Sequence, residues 1–247
     1  MVGLLEPQLL NGHKKITQKS MVIITGASGG VGDFLLNSFL EQKELQVIGT
    51  YYNTQPIKNI ELFEKIDVTD SDQINNFIRN RSSELKNITL INCAGISINE
   101  YAHKSDPSNW EKVVETNLFG TYHFIRALLP FMREQRFGRI INFSSVVAVK
   151  PTPGVSAYAA SKSALWGMSK SIAIENASFN ITINNINLGY SELGMIDSVP
   201  EDYKNQMLGQ IPAGIFCEPN DIWNTVNYLR STRYVTGTSI DLSGGLV

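Results

Sequence analysis

Met21-Val-Ile-Ile-Thr-Gly-Ala-Ser-Gly-Gly-Val-Gly32 is the stretch on which the fold turns. Its first five residues form a short β-branched run, the composition of a strand buried on both faces of a parallel sheet. The run passes without a spacer into Gly26, Ser28, Gly29, Gly30, Val31 and Gly32. Beyond it, apolar residues recur at helical spacing from Phe34 to Leu40. Glycines at a strand–helix turn let the backbone bend tightly and approach a pyrophosphate, whose charge meets the helix N-terminus. A tight turn without a ligand is the plain alternative. The strand before and the helix after favour nucleotide binding.

The same alternation continues outward. Gln46–Tyr51, Leu62–Val68, Ile88–Asn92, Gly138–Ser144, Asn180–Ile186 and Gly237–Leu242 read as strands. Between them, Ser71-Asp72 caps a helix expected to reach Leu85. Asp106-Pro107 opens a long helix with Trp110, Val113, Val114, Leu118, Tyr122 and Ile125 along one face. Helices follow around Tyr158 to about Ala177, over Glu201–Leu208 and over Pro219–Leu229. Strands alternating with helices predict right-handed βαβ units. The expected fold class is α/β: one doubly wound domain over residues 20–247, a seven-stranded, mostly parallel sheet with helices on both faces. Residues 1–19 read as an N-terminal arm.

Composition narrows the function. A net charge of −2 gives no reason to expect nucleic acid or an anionic membrane as partner. No apolar run approaches the length of a membrane span. Cys93 and Cys217 make neither a disulfide framework nor a metal site, which suits a reducing, cytoplasmic setting. The only histidines, His13, His103 and His123, are scattered, so no metal is expected.

Chemistry enters between Ser145 and Lys162. A hydroxyl closes an apolar run, Pro151, Pro153 and Gly154 break the chain, and a helix follows with Tyr158 and Lys162 one turn apart on one face. An ammonium there favours the phenolate and lowers the phenol's pKa, giving a proton donor usable near neutral pH. An isolated Tyr-x-x-x-Lys is more often a surface pair; the glycine turn changes that balance.

Several motifs together resemble one family. Thr25–Gly32 is similar to the TGxxxGxG signature of the short-chain dehydrogenases/reductases, and Asn92-Cys-Ala-Gly95 to their NNAG element. Asn117, Ser145, Tyr158 and Lys162 match their Asn-Ser-Tyr-Lys tetrad in order and spacing, and Asp67-Val68 their adenine-contacting pair. The resemblance covers residue 20 to the C-terminus and is nearest to the 3-oxoacyl-(acyl carrier protein) reductase type. It implies a Rossmann-type domain and hydride transfer between a nicotinamide and a ketone or secondary alcohol. Tyr158 would be the general acid/base and Lys162 would also hold the nicotinamide ribose. Ser145 would bond the substrate oxygen, with Ser144 as its rival. Asn117 would hold a water of a proton relay. The cofactor site implied comprises Gly26, Ser28, Gly29, Gly30, Val31, Gly32, Tyr51, Tyr52, Asn53, Asp67, Val68, Asn92, Ala94, Gly95, Tyr158, Lys162 and Gly189.

An acid at the end of the second strand would favour NAD(H). That strand ends instead in Tyr51-Tyr52-Asn53-Thr54, with Lys58 beyond, so NADP(H) is expected over NAD(H). Three positions depart from the family pattern: Cys93, expected to be structural, and Leu188 and Leu193 in place of a proline and a threonine. Leu193–Phe216 reads as a substrate lid and Ser97–Lys104 as the opposite rim. The substrate would be a 3-oxoacyl thioester or a specialised-metabolite or sugar-type ketone. Where carrier-docking bases stand in the acyl-carrier enzymes, this chain has Arg136 but Phe179. The family also implies a homo-oligomer, a tetramer or a dimer. A catalytically silent nucleotide-binding regulator or scaffold of the same fold is the alternative.

Overall fold

The computed structural model describes residues 19–194, 196 and 199–247. The arm expected over 1–19 thus falls, Lys19 apart, outside the described residues, as does Met195 of the expected lid.

The β-branched runs form strands β1 (Ser20–Thr25), β2 (Leu45–Tyr51), β3 (Phe63–Lys65), β4 (Thr89–Asn92), β5 (Gly138–Ser145), β6 (Ile181–Leu188) and β7 (Ser239–Leu242). They lie in the order β3-β2-β1-β4-β5-β6-β7, and every neighbouring pair is parallel. The expected mostly parallel sheet is therefore wholly parallel among the described residues. The order reverses between β1 and β4, and the crevice outside the carboxyl ends of strands at such a point is where α/β sheets bind ligands.

Side chains alternate between two cores, one on each face. Met21, Ile23, Leu90, Ile140 and Ile183 point to one face. There they meet helices α2 (Ser71–Asn80), α4 (Gly120–Gln135) and α5 (Ser156–Asn176). Val22, Ile24, Ile91, Ile141 and Ile186 point to the other. They pack against α1 (Gly30–Leu40) and α7 (Pro219–Ser231). Phe124 and Phe39 are fully buried on the respective sides, and burial of one such ring contributes about 2–3 kcal/mol.

Local chemistry moves several expected boundaries. β3 stops at Lys65 instead of reaching Val68, because Asp67 Oδ1 accepts from Thr69 N and Oγ1 at 2.9 and 2.8 Å and turns the chain. Asp70, not Ser71, caps α2, accepting from Asp72 N and Gln73 N. That helix ends at Asn80, short of Leu85. The long helix predicted from Asp106 is interrupted. Helix α3 (Pro107–Val114) passes through a π-turn, Glu115–Phe119, before α4 begins. The wide turn rotates the buried face. Of the face expected from the sequence, Val113 and Ile125 are fully buried, whereas Trp110 and Tyr122 are 38% and 43% exposed; Phe124, Leu128 and Met132 join the core. Asn117 is carried inside. A short helix α6 (Glu201–Leu208) lies within the expected lid.

Candidate active site

At the end of β1, Gly26 adopts φ +63°. A Cβ there would lie 2.7 Å from Ala94 Cα, so the backbones after β1 and β4 touch directly. Ala94 N donates to Thr25 Oγ1 at 3.2 Å, which locks Asn92–Gly95 beside the glycine turn. Gly32 is required by helix–strand packing, since its Cβ would meet Gly26 O at 2.4 Å. Gly29 caps α1 without any side-chain bond, which leaves the first-turn N–H groups to a ligand anion. A pyrophosphate fits this turn. Gly30 shows a second constraint: its Cβ would fall 2.4 Å from Gly194 N, so its bareness admits the segment after β6. Gly189 serves the chain similarly, donating to Leu242 O at 2.9 Å with Ser243 Cα close by. Ser28 and Val31 are half-buried on the turn.

Beyond β2, Tyr51 packs edge-on to Phe63, and Tyr52 lies exposed beside Asn53. Asp67 lies near the Tyr52 hydroxyl, and its negative charge pushes the phenol's pKa up. Lys65 brings its ammonium 5.9 Å from the centre of the Tyr52 ring. No local sequence pattern marks Lys65. The register pairing it with Tyr51 was the missing information. Val68 is buried against α4, where Gly120 makes room for it, so an adenine would meet chiefly its backbone.

The catalytic candidates converge where β5 meets α5. Ser145 stands beside Tyr158, where its hydroxyl acts to lower the phenol's pKa. Ser145 Oγ also accepts from Val147 N at 3.3 Å, which fixes its rotamer. Its rival Ser144 turns away and donates to Lys162 O at 3.1 Å. Lys162 is buried; its Nζ donates to Phe143 O at 2.7 Å and lies 5.5 Å from the Tyr158 ring centre. The expected lowering of the phenol by Lys162 does not emerge. Burial pushes the Tyr158 pKa up, and only the neighbouring Ser145 hydroxyl opposes it. Burial likewise lowers Lys162 to about 8, with Cys93 opposing. Cys93 is pushed up to about 12 by the same desolvation, in keeping with a structural thiol.

Asn117 is wholly buried. Its Oδ1 accepts from Ile96 N at 2.8 Å, and its Nδ2 donates to Ile96 O and Ser161 Oγ at 2.9 and 3.0 Å. The amide is thus occupied in tying the loop after β4 to α5, and the Asn117 main-chain carbonyl accepts from Thr121 Oγ1 at 2.8 Å. Gly95 permits the approach, since a Cβ there would stand 3.2 Å from Asn117 Oδ1 and 3.5 Å from Lys162 Nζ. On the rim, Glu100 is drawn to the start of α3 by Asn109 Nδ2 and Asp106 N. Among the described residues no group of three or more acidic, histidine or cysteine side chains could hold a metal ion, and no helix is long and apolar enough to cross a membrane.

Fold and site together define a class, the dinucleotide-binding α/β oxidoreductases. The family model described as short chain dehydrogenase matches residues 20–204. The chain is 33% identical to the 3-oxoacyl-(acyl-carrier-protein) reductase of Staphylococcus aureus, over 94% of this chain and 99% of the relative. It is 33% identical to the Thermotoga maritima protein of the same name, over 91% and 96%. The crystal structure of 3-oxoacyl-(acyl-carrier protein) reductase from Brucella melitensis superimposes with a TM-score of 0.84 at 30% identity, covering 92% of this chain and 91% of that one. The chain belongs to the short-chain dehydrogenase family and is an oxidoreductase enzyme.

Proposed function

We propose that the protein is an NADP(H)-dependent ketoreductase acting on a 3-oxoacyl thioester, with Tyr158 as its general acid. The observation that carries the reading is the convergence of Ser145 and Tyr158 with the buried Lys162, whose Nζ lies 5.5 Å from the Tyr158 ring centre. A bound nicotinamide dinucleotide supplies the hydride. Tyr158 gives its proton to the carbonyl oxygen as charge grows there, and Ser145 donates a hydrogen bond to the same oxygen. The Lys162 ammonium stands 5.5 Å from the ring centre of the phenolate left behind, and a water on the Asn117 carbonyl returns the proton from solvent. Tyr158→Phe is expected to lower kcat by roughly a hundredfold or more while fold and cofactor binding persist. Near-parental turnover in that variant overturns the mechanism.

NADP(H) is favoured because no acid closes β2 and Lys65 stands beside Tyr52. Fluorescence titration of both cofactors tests this, and tighter binding of NADH reverses it. For the thioester, the support is the relatives' names and a basic platform. Arg133 and Arg136 lie 3.8 and 5.5 Å from the Phe179 ring, so Arg133 supplies a second cation where Phe179 does not. A lower KM for a carrier-linked than for a free thioester is the expected result. Exposed Trp110, Phe119 and Tyr122 on α3, the π-turn and α4, with Ile174 on α5, support a homo-oligomer built through these helices. Light scattering showing a monomer overturns that. Two free cysteines suit the cytoplasm.

A further inference from the structure

A polar row leads away from the catalytic helix to the open edge of the sheet. Ser144, Asn187 and Asp241 occupy one rung of β5, β6 and β7. Trp166, one turn beyond Lys162 on α5, donates its indole N–H to Asn187 Oδ1 at 2.9 Å and to Ser144 Oγ at 3.2 Å. Asn187 Nδ2 donates to Asp241 Oδ1 at 2.6 Å. Ser144 Oγ donates to the carbonyl of Lys162 at 3.1 Å.

The chemistry of the members fixes every direction in the row. An indole only donates and an ionised carboxylate only accepts. Asn187 must therefore turn its NH2 to Asp241 and its oxygen to Trp166. Ser144, already receiving the indole proton, has its single proton left for Lys162. Asn187 and Ser144 are buried, so a broken link would strand a desolvated polar group. Neither an indole nor an amide passes protons on, so the row positions groups and does not relay. Asp241 is exposed and borders a cavity of about 380 Å3 with Lys170 and Thr238.

We propose that Trp166, Asn187 and Asp241 are positioning residues for the reaction: they hold the turn of α5 bearing Lys162 against the end of β5 bearing Ser145. The inference rests on the ketoreductase reading above. Lys162 Nζ to Phe143 O and Ser163 Oγ to Ala148 O also stitch this junction, so the fold should survive loss of the row. The titratable groups facing Lys162 are Tyr158 on its own helix and Cys93 after β4, and Lys170 shares the cavity with Asp241.

The test compares Trp166→Phe, Asp241→Ala, Asp241→Asn and the double variant Trp166→Phe/Asp241→Ala in full-length protein, with NADPH and a 3-oxoacyl thioester. Trp166→Phe and Asp241→Ala should each lower kcat roughly three- to tenfold and displace the alkaline limb of the pH profile, with the KM for NADPH little changed. The double variant should be no worse than the poorer single, because one row is broken once. Asp241→Asn keeps an acceptor oxygen and should recover most of the rate. Amide exchange over residues 162–166 asks the same question without turnover and should quicken several-fold in Asp241→Ala. Failure of the parent to reduce any ketone sinks the ketoreductase reading, and the exchange result then decides the row alone. Unmoved limbs with unchanged exchange, or single effects that multiply in the double variant, overturn the proposal.

Discussion

Where β1 turns into α1, backbone lies against backbone: Gly26 meets Ala94, Gly32 meets Gly26 O, and Gly30 meets Gly194. Where β5 approaches α5, at the same edge of the sheet, side chains fill the gap. Ser144, Lys162 and Trp166 are joined there by hydrogen bonds, with Ser145 and Tyr158 beside them. One junction works by having no atoms to spare, the other by placing polar atoms in a dry site. The first should therefore fail when atoms are added and the second when atoms are removed.

Gly26→Ala should give the largest loss of stability. Its φ of +63° disfavours any L side chain by about 1–2 kcal/mol. The new methyl would also press on Ala94 backbone atoms at 2.7 and 2.8 Å, an overpacking that costs about 1–3 kcal/mol. Roughly 3 kcal/mol should disappear from a urea denaturation curve. Gly29→Ala supplies the contrast: with φ −92° and its nearest neighbour at 3.5 Å, it should cost less than about 1 kcal/mol. Equal losses would show that backbone contact does not set the cost at this junction.

The side-chain junction carries a buried ammonium, and removing it should show the burden. Burial sets Lys162 at about 8 in the fold, against 10.5 unfolded. The unfolded chain therefore holds a proton that the fold releases between those values, and stability rises with pH across that window. Below about pH 8 the buried cation costs on the order of 3 kcal/mol. Lys162→Met should be inactive and yet more resistant to urea at pH 7, its advantage shrinking as pH approaches 10.5. A difference that stays constant with pH would show that desolvation does not govern this site.

These contrasts explain what could be read from the chain and what could not. The seven strands, the glycine turn and the Tyr158–Lys162 spacing are local patterns, and they appear in the expected order, with some strand ends shifted. Asn117 was recognisable as a family position, but not its setting. It sits in the π-turn, beyond which Tyr122 is exposed, and a regular helical period cannot reveal an extra-wide turn. Polar residues inside β5 and β6 gave no signal because their partners lie on other strands. Asn142 Oδ1 accepts from Asn92, and its Nδ2 donates to Ser169 and Asn185, each bond crossing to another element. The pKa of Tyr158 was misjudged for a related reason: pairing is visible in spacing, whereas burial and the tether from Lys162 to Phe143 O are not.

The smallest expected effect lies on the nucleotide side and tests whether a side chain matters there at all. Tyr52 has Lys65 near its ring and Asp67 at its hydroxyl, on the exposed margin beyond β2. An exposed cation is screened by water, so its contribution to a phosphate is about 1 kcal/mol or less. Lys65→Glu should weaken NADPH binding roughly three- to tenfold and leave NADH almost unchanged. Only a cofactor carrying the 2′-phosphate brings a charge to that margin. Lys58→Glu, on the loop after β2, is the control for charge alone. An equal effect from both lysines would mean a diffuse field and no defined contact, whereas loss confined to Lys65 would give the backbone-built half of the site its one specifying side chain.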